Sequence, residues 1–127
     1  MKTFILATLL VLPLCASAAD WQPLTAPRAD GSGSFIDLDS PVQMGEFVQV
    51  RVLTNFKRAQ KGALSARDIF RVDCKKKFIG LAVTETFAES DAQGAALESF
   101  VAKNVPMQNS EKGTLGSSII HEVCGKK

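Results

Sequence analysis

The strongest constraint on the fold of this chain is a pair of distant cysteines, Cys74 and Cys124. Cys74 lies between an alternating apolar segment and three consecutive lysines, so it could be a reactive thiol, a metal ligand or half of a disulfide. The compartment decides between these possibilities, because two thiols in a small exported domain usually pair.

The N-terminal residues indicate export. Lys2 supplies a positive charge, residues 4–14 (FILATLLVLPL) form an apolar run broken only by a threonine, and residues 16–18 (ASA) are typical of a cleavage signal. This is the pattern of a secretory signal peptide. The run is shorter than the roughly 20 apolar residues that a transmembrane helix needs. We therefore expect residues 1–19 to be a signal peptide and residues 20–127 to be a single exported domain.

An alternative is a lipoprotein signal, in which Cys15 would be the acylated first residue. Leu14 argues against it, because such signals usually carry a small residue at that position. Cleavage removes Cys15 and leaves two thiols, which we expect to form a Cys74–Cys124 disulfide in an oxidising compartment. A bridge across so long a loop should stabilise the fold by about 4 kcal/mol. No other stretch of the sequence is apolar enough to span a membrane, so we expect the mature protein to be soluble or peripheral. The signal peptide predicts a periplasmic, surface or secreted location.

Alternating apolar and polar residues predict several β-strands. The clearest covers residues 46–56 (EFVQVRVLTNF), where the valines occupy every second position and share one face. Other strands are predicted at residues 35–39, 67–74, 77–87 and, with a helix as the alternative, 95–102. Residues 57–66, rich in small and polar side chains, are predicted to form an exposed hairpin loop. Gly80 indicates a bulge or a close backbone approach.

Near the C-terminus the hydrophobic period changes. Leu115, Ile119 and Val123 recur every four residues, with Ile120 and Cys124 beside them, which fills one side of a short helix. Thr114 is a suitable N-cap for this helix.

A helix of about ten residues is unstable alone, so it must be held by packing. We predict an α+β domain: one antiparallel sheet, a meander of about five to six strands, with one C-terminal helix on a sheet face, tied by the disulfide. Its composition, 46% hydrophobic and 22% charged, suits a single globular domain.

The sequence contains no recognisable catalytic apparatus. Its one histidine, His121, falls opposite the apolar face of the predicted helix, so Cys74 has no evident base. Asp37 and Asp39 share a strand face but lack the context of a paired-carboxylate site. We therefore predict no enzymatic activity, no metal site and no cofactor.

Basic residues are concentrated in one region. Between residues 51 and 77 there are nine, against the acidic Asp68 and Asp73. The candidate ligand-binding residues are Lys57, Arg58, Lys61, Arg67, Arg71, Lys75, Lys76 and Lys77.

Such residues can attract an anionic partner, either an acidic protein segment or an acidic polymer. The simpler alternative is a set of solvated loops or a lysine-protected sheet edge. Nucleic acid is not expected, because exposed interleaved aromatic residues are lacking. An exposed sheet edge would also allow a homodimer by strand pairing.

Several short motifs also occur in a recognisable order. They are an opening Asp20-Trp21, the triplet FID at 35–37 followed by Ser40, the strand VQVRVLTNF at 48–56, Val72-Asp73-Cys74, and the terminal residues 119–124. This arrangement resembles the surface-adhesin protein E-like family of small exported bacterial domains. The resemblance implies a single antiparallel sheet covered by a C-terminal helix, with a disulfide at the positions of Cys74 and Cys124.

The sequence differs from the family pattern in two places. It lacks a convincing lipoprotein signal, and Val105-Pro106-Met107 stands where the family often has a tryptophan-containing stretch.

The namesake of the family is an adhesin for host extracellular proteins. The resemblance therefore implies an exported, non-enzymatic binding module, and the clustered basic residues add the hypothesis that it holds host extracellular or other acidic partners through them. The alternative is a periplasmic accessory or inhibitor protein of the cell envelope with no adhesive role.

Overall fold

The computed structural model describes residues 20–24 and 32–125, and the predicted signal peptide lies outside them. The strands are β1 (Trp21–Pro23), β2 (Gly33–Asp37), β3 (Val42–Met44), β4 (Phe47–Gln60), β5 (Ala63–Asp73), β6 (Phe78–Phe87), β7 (Ala96–Val101) and β8 (Gln108–Asn109). A short 3-10 turn covers Ser90–Ala92, and one α-helix, α1, covers Leu115–Cys124.

The described strands form one eight-stranded antiparallel sheet in the order β1-β2-β4-β5-β6-β7. In addition, β3 pairs with β4 and β8 pairs with β6. The predicted class, one antiparallel sheet with a C-terminal helix, is therefore confirmed, but the sheet has more strands than the five to six predicted. The additional strands β1, β3 and β8 have only two or three residues each, too few for a periodic pattern to show.

The β4–β5 hairpin is longer than predicted. β4 continues to Gln60 and β5 begins at Ala63, so the turn is Lys61-Gly62 rather than residues 57–66. Both turn residues have positive φ, 49° and 81°, as in the two-residue turns whose twist matches that of paired strands. The loop prediction was wrong because residues 57–60 form an exposed strand end whose polar composition resembles that of a loop.

A bulge in β6 changes which residues share a face. Ile69 pairs with Val83 but its neighbour Phe70 pairs with Leu81, so Ala82 is an extra residue in β6. As a result, Val83 lies on the opposite face from Leu81, although a regular strand would place them together. The alternation of side chains between the two faces of the sheet is therefore interrupted at Ala82.

The hydrophobic core lies between α1 and one face of the sheet. Its buried members are Ile36, Val50, Val52, Val72 and Ile79 from the strands and Ile119 and Ile120 from the helix. Leu115 and Val123 pack against this cluster, which confirms the predicted apolar side of the helix. Thr114 caps the helix as predicted, because its Oγ1 accepts a hydrogen bond of 3.3 Å from the Ser117 backbone N–H.

The predicted Cys74–Cys124 disulfide is confirmed. It joins residues 50 positions apart, with a Cα–Cα distance of 5.5 Å. Cys74 directly follows the last residue of β5, and Cys124 is the last residue of α1. The bridge therefore attaches the C-terminal end of the helix to the end of a central strand.

A second close contact involves Gly80 of β6. A Cβ atom at this position would lie 2.5 Å from Val105 Cγ1, 2.7 Å from the Pro106 carbonyl oxygen and 2.8 Å from Met107 Sδ. The predicted close approach at Gly80 is therefore confirmed, and it holds the segment between β7 and β8 against β6.

Replacing both Cys74 and Cys124 with serine should lower the free energy of unfolding by about 4 kcal/mol, because the unfolded chain regains the freedom of a long loop. Urea denaturation followed by circular dichroism measures this change. Reducing the unsubstituted protein should produce a similar decrease. If the oxidised, reduced and substituted proteins unfold at the same urea concentration, the bridge does not stabilise the fold.

The change Gly80→Ala should destabilise the domain by about 1–3 kcal/mol, because one of the clashing atoms belongs to the backbone and cannot rotate away. The matched control is Gly33→Ala, whose new methyl group would meet only the Phe35 ring at an ordinary 3.7 Å. Thermal unfolding of both variants provides the comparison. The close-packing interpretation fails if the two changes have the same effect.

Candidate ligand-binding surface

The eight candidate ligand-binding residues fall into three groups along the β4–β5–β6 strands. Lys57, Arg58 and Lys61 are exposed at the Lys61-Gly62 end of the hairpin and are called here the hairpin-tip cluster. Residues 75–77, called here the lysine turn, are exposed in the loop between β5 and β6. The two groups lie at opposite ends of β5, which is about 35 Å long at roughly 3.3 Å per residue. They therefore do not form one continuous surface.

The third group consists of Arg67 and Arg71, which are partly buried along β5. Arg67 already has partners: its Nη2 lies 3.5 Å from Glu85 Oε1, and its guanidinium lies 5.3 Å from the centre of the Phe87 ring. Arg67 and Glu85 are directly opposite one another on β5 and β6, an arrangement that stabilises paired strands. The position of Arg67 is thus explained by sheet structure.

The lysine turn is organised by a buried carboxylate. Asp73, which is only 7% exposed, accepts hydrogen bonds through Oδ1 from the backbone N–H groups of Lys75 at 3.0 Å and Lys76 at 3.1 Å. Lys77 closes the turn with a positive φ of 59°. Since Cys74 is fixed by the disulfide, the turn is also anchored at the residue that precedes it. Its backbone is therefore constrained while its three ammonium groups remain exposed.

A cavity of about 560 Å³ lies beside the lysine turn. Its lining residues are Gln43, Gly45, Glu46, Val48, Asp73, Cys74, Lys75 and Lys76. The volume is within the range of small-ligand sites. This concave surface lies where the disulfide comes close to the turn between β3 and β4. Two of the predicted binding residues, Lys75 and Lys76, also line it.

Sequence reasoning did not identify a second cavity, of about 380 Å³, on the sheet face opposite the helix. It is lined by Trp21, Phe35, Leu53, Asp91 and Gln93. Its wall is the 3-10 turn, which folds back onto β4 through reciprocal 2.8 Å hydrogen bonds between Asn55 and Asp91. Nothing in the local sequence indicates this return contact, because Asn55 and Asp91 are far apart along the chain.

The two carboxylates considered for catalysis have different environments. Asp37 is fully buried and accepts a 2.7 Å hydrogen bond from Arg51 Nη2 and another from the Asp39 backbone N–H. Asp39 itself is exposed in the turn after β2. Since the β2 strand ends at Asp37, the two side chains do not line a common groove, and Asp37 serves to fix the chain after β2.

Among residues 20–24 and 32–125, no group of three or more His, Cys, Asp or Glu side chains is arranged to hold a metal ion. In the same part of the chain, no helix is long and apolar enough to cross a membrane.

Comparison with solved structures shows where this fold occurs. The selenomethionine form of protein E from Haemophilus influenzae is 15% identical, with a TM-score of 0.62 over 82% of this chain and 84% of that one. Protein E from non-typeable Haemophilus influenzae is 14% identical, with a TM-score of 0.58 over 80% of this chain and 74% of that one. At this identity the likeness concerns the fold alone.

Comparison with sequences gives a family. No curated protein matches significantly. The family model described as surface-adhesin protein E matches residues 21–125, which includes every strand described above and the helix. The chain therefore belongs to the surface-adhesin protein E family.

Proposed function

We propose that this chain is an exported, non-enzymatic binding module that holds an acidic segment of an extracellular protein at its lysine turn. The observation that carries the proposal is the geometry of that turn. Three consecutive lysines are exposed on a loop whose backbone is fixed by the Asp73 carboxylate and by the disulfide at Cys74. Membership of a surface-adhesin family supports a binding role.

A constrained turn is a better anion site than the same lysines on a loose loop. An exposed ion pair contributes only about 0.2–1 kcal/mol, because two long side chains lose freedom when they pair. Several lysines on a fixed backbone act together and avoid the further cost of ordering the loop. The neighbouring cavity offers space for a side chain of the partner beside Lys75 and Lys76.

The other basic groups are weaker candidates. Arg67 is engaged with Glu85 and Phe87, and the hairpin-tip cluster lies at a two-residue turn held by strand pairing rather than by a buried carboxylate and a disulfide. The hairpin-tip cluster is therefore a suitable control, since it has the same charge and similar exposure at the opposite end of the strands.

The proposal includes a location outside the cell membrane, with the binding surface accessible to partners. Protease treatment of intact cells tests this part. Degradation supports display at the surface, whereas protection on intact cells combined with release by osmotic shock favours the periplasmic accessory role.

Changing Lys75, Lys76 and Lys77 together to glutamate should weaken retention on immobilised polyglutamate by about tenfold or more, since three attractions become repulsions. The matched control changes Lys57, Arg58 and Lys61 to glutamate and alters the net charge by the same amount. The control should retain most of the binding. Equal losses in the two variants would show that net charge alone is responsible. A parallel experiment on immobilised heparin distinguishes an acidic polysaccharide from an acidic protein segment.

Changing Asp73 to alanine should lower the free energy of unfolding by about 1.5–3 kcal/mol, because the Lys75 and Lys76 backbone N–H groups lose a charged acceptor. It should also weaken binding to polyglutamate, even though the protein becomes more positive. The control Asp73→Asn keeps a side-chain oxygen as acceptor and should preserve more of both properties. Stronger binding by the alanine variant would mean that charge matters and the fixed turn does not.

A further inference from the structure

The 3-10 turn beside the second cavity, on the sheet face opposite the helix, has an unusual backbone. Asp91 and Ala92, two consecutive residues other than glycine, have φ values of 60° and 56°. Side chains with a Cβ atom rarely adopt this left-handed conformation. It persists only where surrounding contacts fix it, and it is concentrated at ligand-binding and catalytic sites. This turn is therefore a candidate for part of a binding site.

Hydrogen bonds to two neighbouring strands hold the turn in this conformation. The buried Ser65 of β5 donates through Oγ to the Glu89 carbonyl and accepts from the Ala92 backbone N–H at 2.9 Å. Asn55 of β4 exchanges two 2.8 Å hydrogen bonds with Asp91, one with its carboxylate and one with its backbone N–H. The position of the Asp91 carboxylate at the cavity is thus fixed by the sheet.

The turn supplies hydrogen-bond acceptors to the cavity. Asp91 receives the Asn55 hydrogen bond on Oδ1, so its other oxygen, Oδ2, has no donor among the described residues. Gln93 donates through Nε2 to the Asp91 carbonyl at 3.2 Å, which leaves Gln93 Oε1 without a donor in the same part of the chain. None of the described residues that line the cavity carries a positive charge. A ligand that suits this rim is a cation with several N–H donors.

The remaining lining residues are aromatic or aliphatic. Phe35 and Leu53 lie directly opposite one another on β2 and β4, and Trp21 is half-buried on the edge strand β1. Among aromatic side chains, tryptophan attracts a cation most strongly when the cation lies over the ring. The cavity therefore combines an indole ring with a carboxylate and an amide oxygen.

The same sheet face already holds one guanidinium group with similar partners. Arg67, which is opposite Leu53 in the β4–β5 pairing, has its guanidinium 5.3 Å from the centre of the Phe87 ring, and its Nη2 lies 3.5 Å from Glu85 Oε1. An aromatic ring and a carboxylate thus bind an arginine side chain next to the cavity. Because Glu85 offsets the charge of Arg67, the negative charge of Asp91 is available to a ligand.

We propose that this cavity binds a guanidinium group carried on an apolar stem. The planar cation stacks on Trp21 and donates hydrogen bonds to Asp91 Oδ2 and Gln93 Oε1. A guanidinium suits the cavity better than an ammonium, because it is more weakly hydrated and combines a stacking face with donors along its edge. The site uses none of the lysines of the proposed binding surface, so it stands or falls separately from the proposed function.

Fluorescence of Trp21 tests the proposal, because this is the only tryptophan in the sequence. Titrating the purified exported protein with butylguanidinium should change the fluorescence, with a dissociation constant in the millimolar range. Butylurea, which has nearly the same shape without the charge, should bind about tenfold more weakly or less. Butylammonium, which has the charge without the planar fork, should bind about threefold more weakly. Equal binding of butylguanidinium and butylurea, or no change in fluorescence, would overturn the proposal.

The change Asp91→Asn tests the carboxylate while preserving the turn. Asparagine tolerates the left-handed conformation and keeps a side-chain oxygen for Asn55. This variant should bind butylguanidinium about fivefold more weakly, with little change for butylurea. The matched control Glu98→Gln removes one negative charge from β7, at the other edge of the sheet from β1, and should bind like the unsubstituted protein. If the two variants bind butylguanidinium equally well, the cavity is not the binding site.

Two sources provide this chemical group: the arginine side chain of a protein and a small guanidinium compound. The capped peptide acetyl-glycyl-arginyl-glycinamide represents the first source, and butylguanidinium represents the second. Tighter binding of the peptide assigns the cavity to a protein side chain, whereas tighter binding of butylguanidinium assigns it to a small molecule. Binding of neither probe contradicts the proposal.

Discussion

The Cys74–Cys124 bridge is the constraint on which the rest of this structure depends. The only helix in the described part of the chain is ten residues long, a length that is not stable in isolation. It nevertheless covers the valines and isoleucines of the central strands, because its apolar side packs on them and its last residue is covalently attached to the end of β5. The bridge holds the helix against the sheet, and the packed helix shields that face of the sheet from water.

Sequence predicted the parts of the fold that have long, regular patterns. The central strands show alternation over many residues, and the helix repeats its apolar side chains at Leu115, Ile119 and Val123, so both were recognisable. β1, β3 and β8 were not, because strands of two or three residues are defined by their neighbours in the sheet rather than by their own pattern. The bulge at Ala82 could not be predicted from the sequence either, since it arises from the pairing between β5 and β6.

The candidate surface was predictable in composition but not in arrangement. The eight basic residues are obvious in the sequence, yet only the strand topology shows that the hairpin-tip cluster and the lysine turn occupy opposite ends of β5. The role of Asp73 could not be foreseen either. An aspartate among lysines resembles one more surface charge, whereas in the fold it is buried and holds the backbone of Lys75 and Lys76.

The position of Cys74 next to the lysine turn links oxidation of the chain to the rigidity of that turn. The disulfide at Cys74 attaches the helix to the end of β5, and the loop that carries the three lysines begins at the next residue. In a reducing compartment thiols stay unpaired, so the reduced chain lacks the covalent attachment of the helix and one of the two anchors of the lysine turn, the other being Asp73. Oxidation of the two cysteines therefore adds rigidity to the helix and to the lysine turn in a single step.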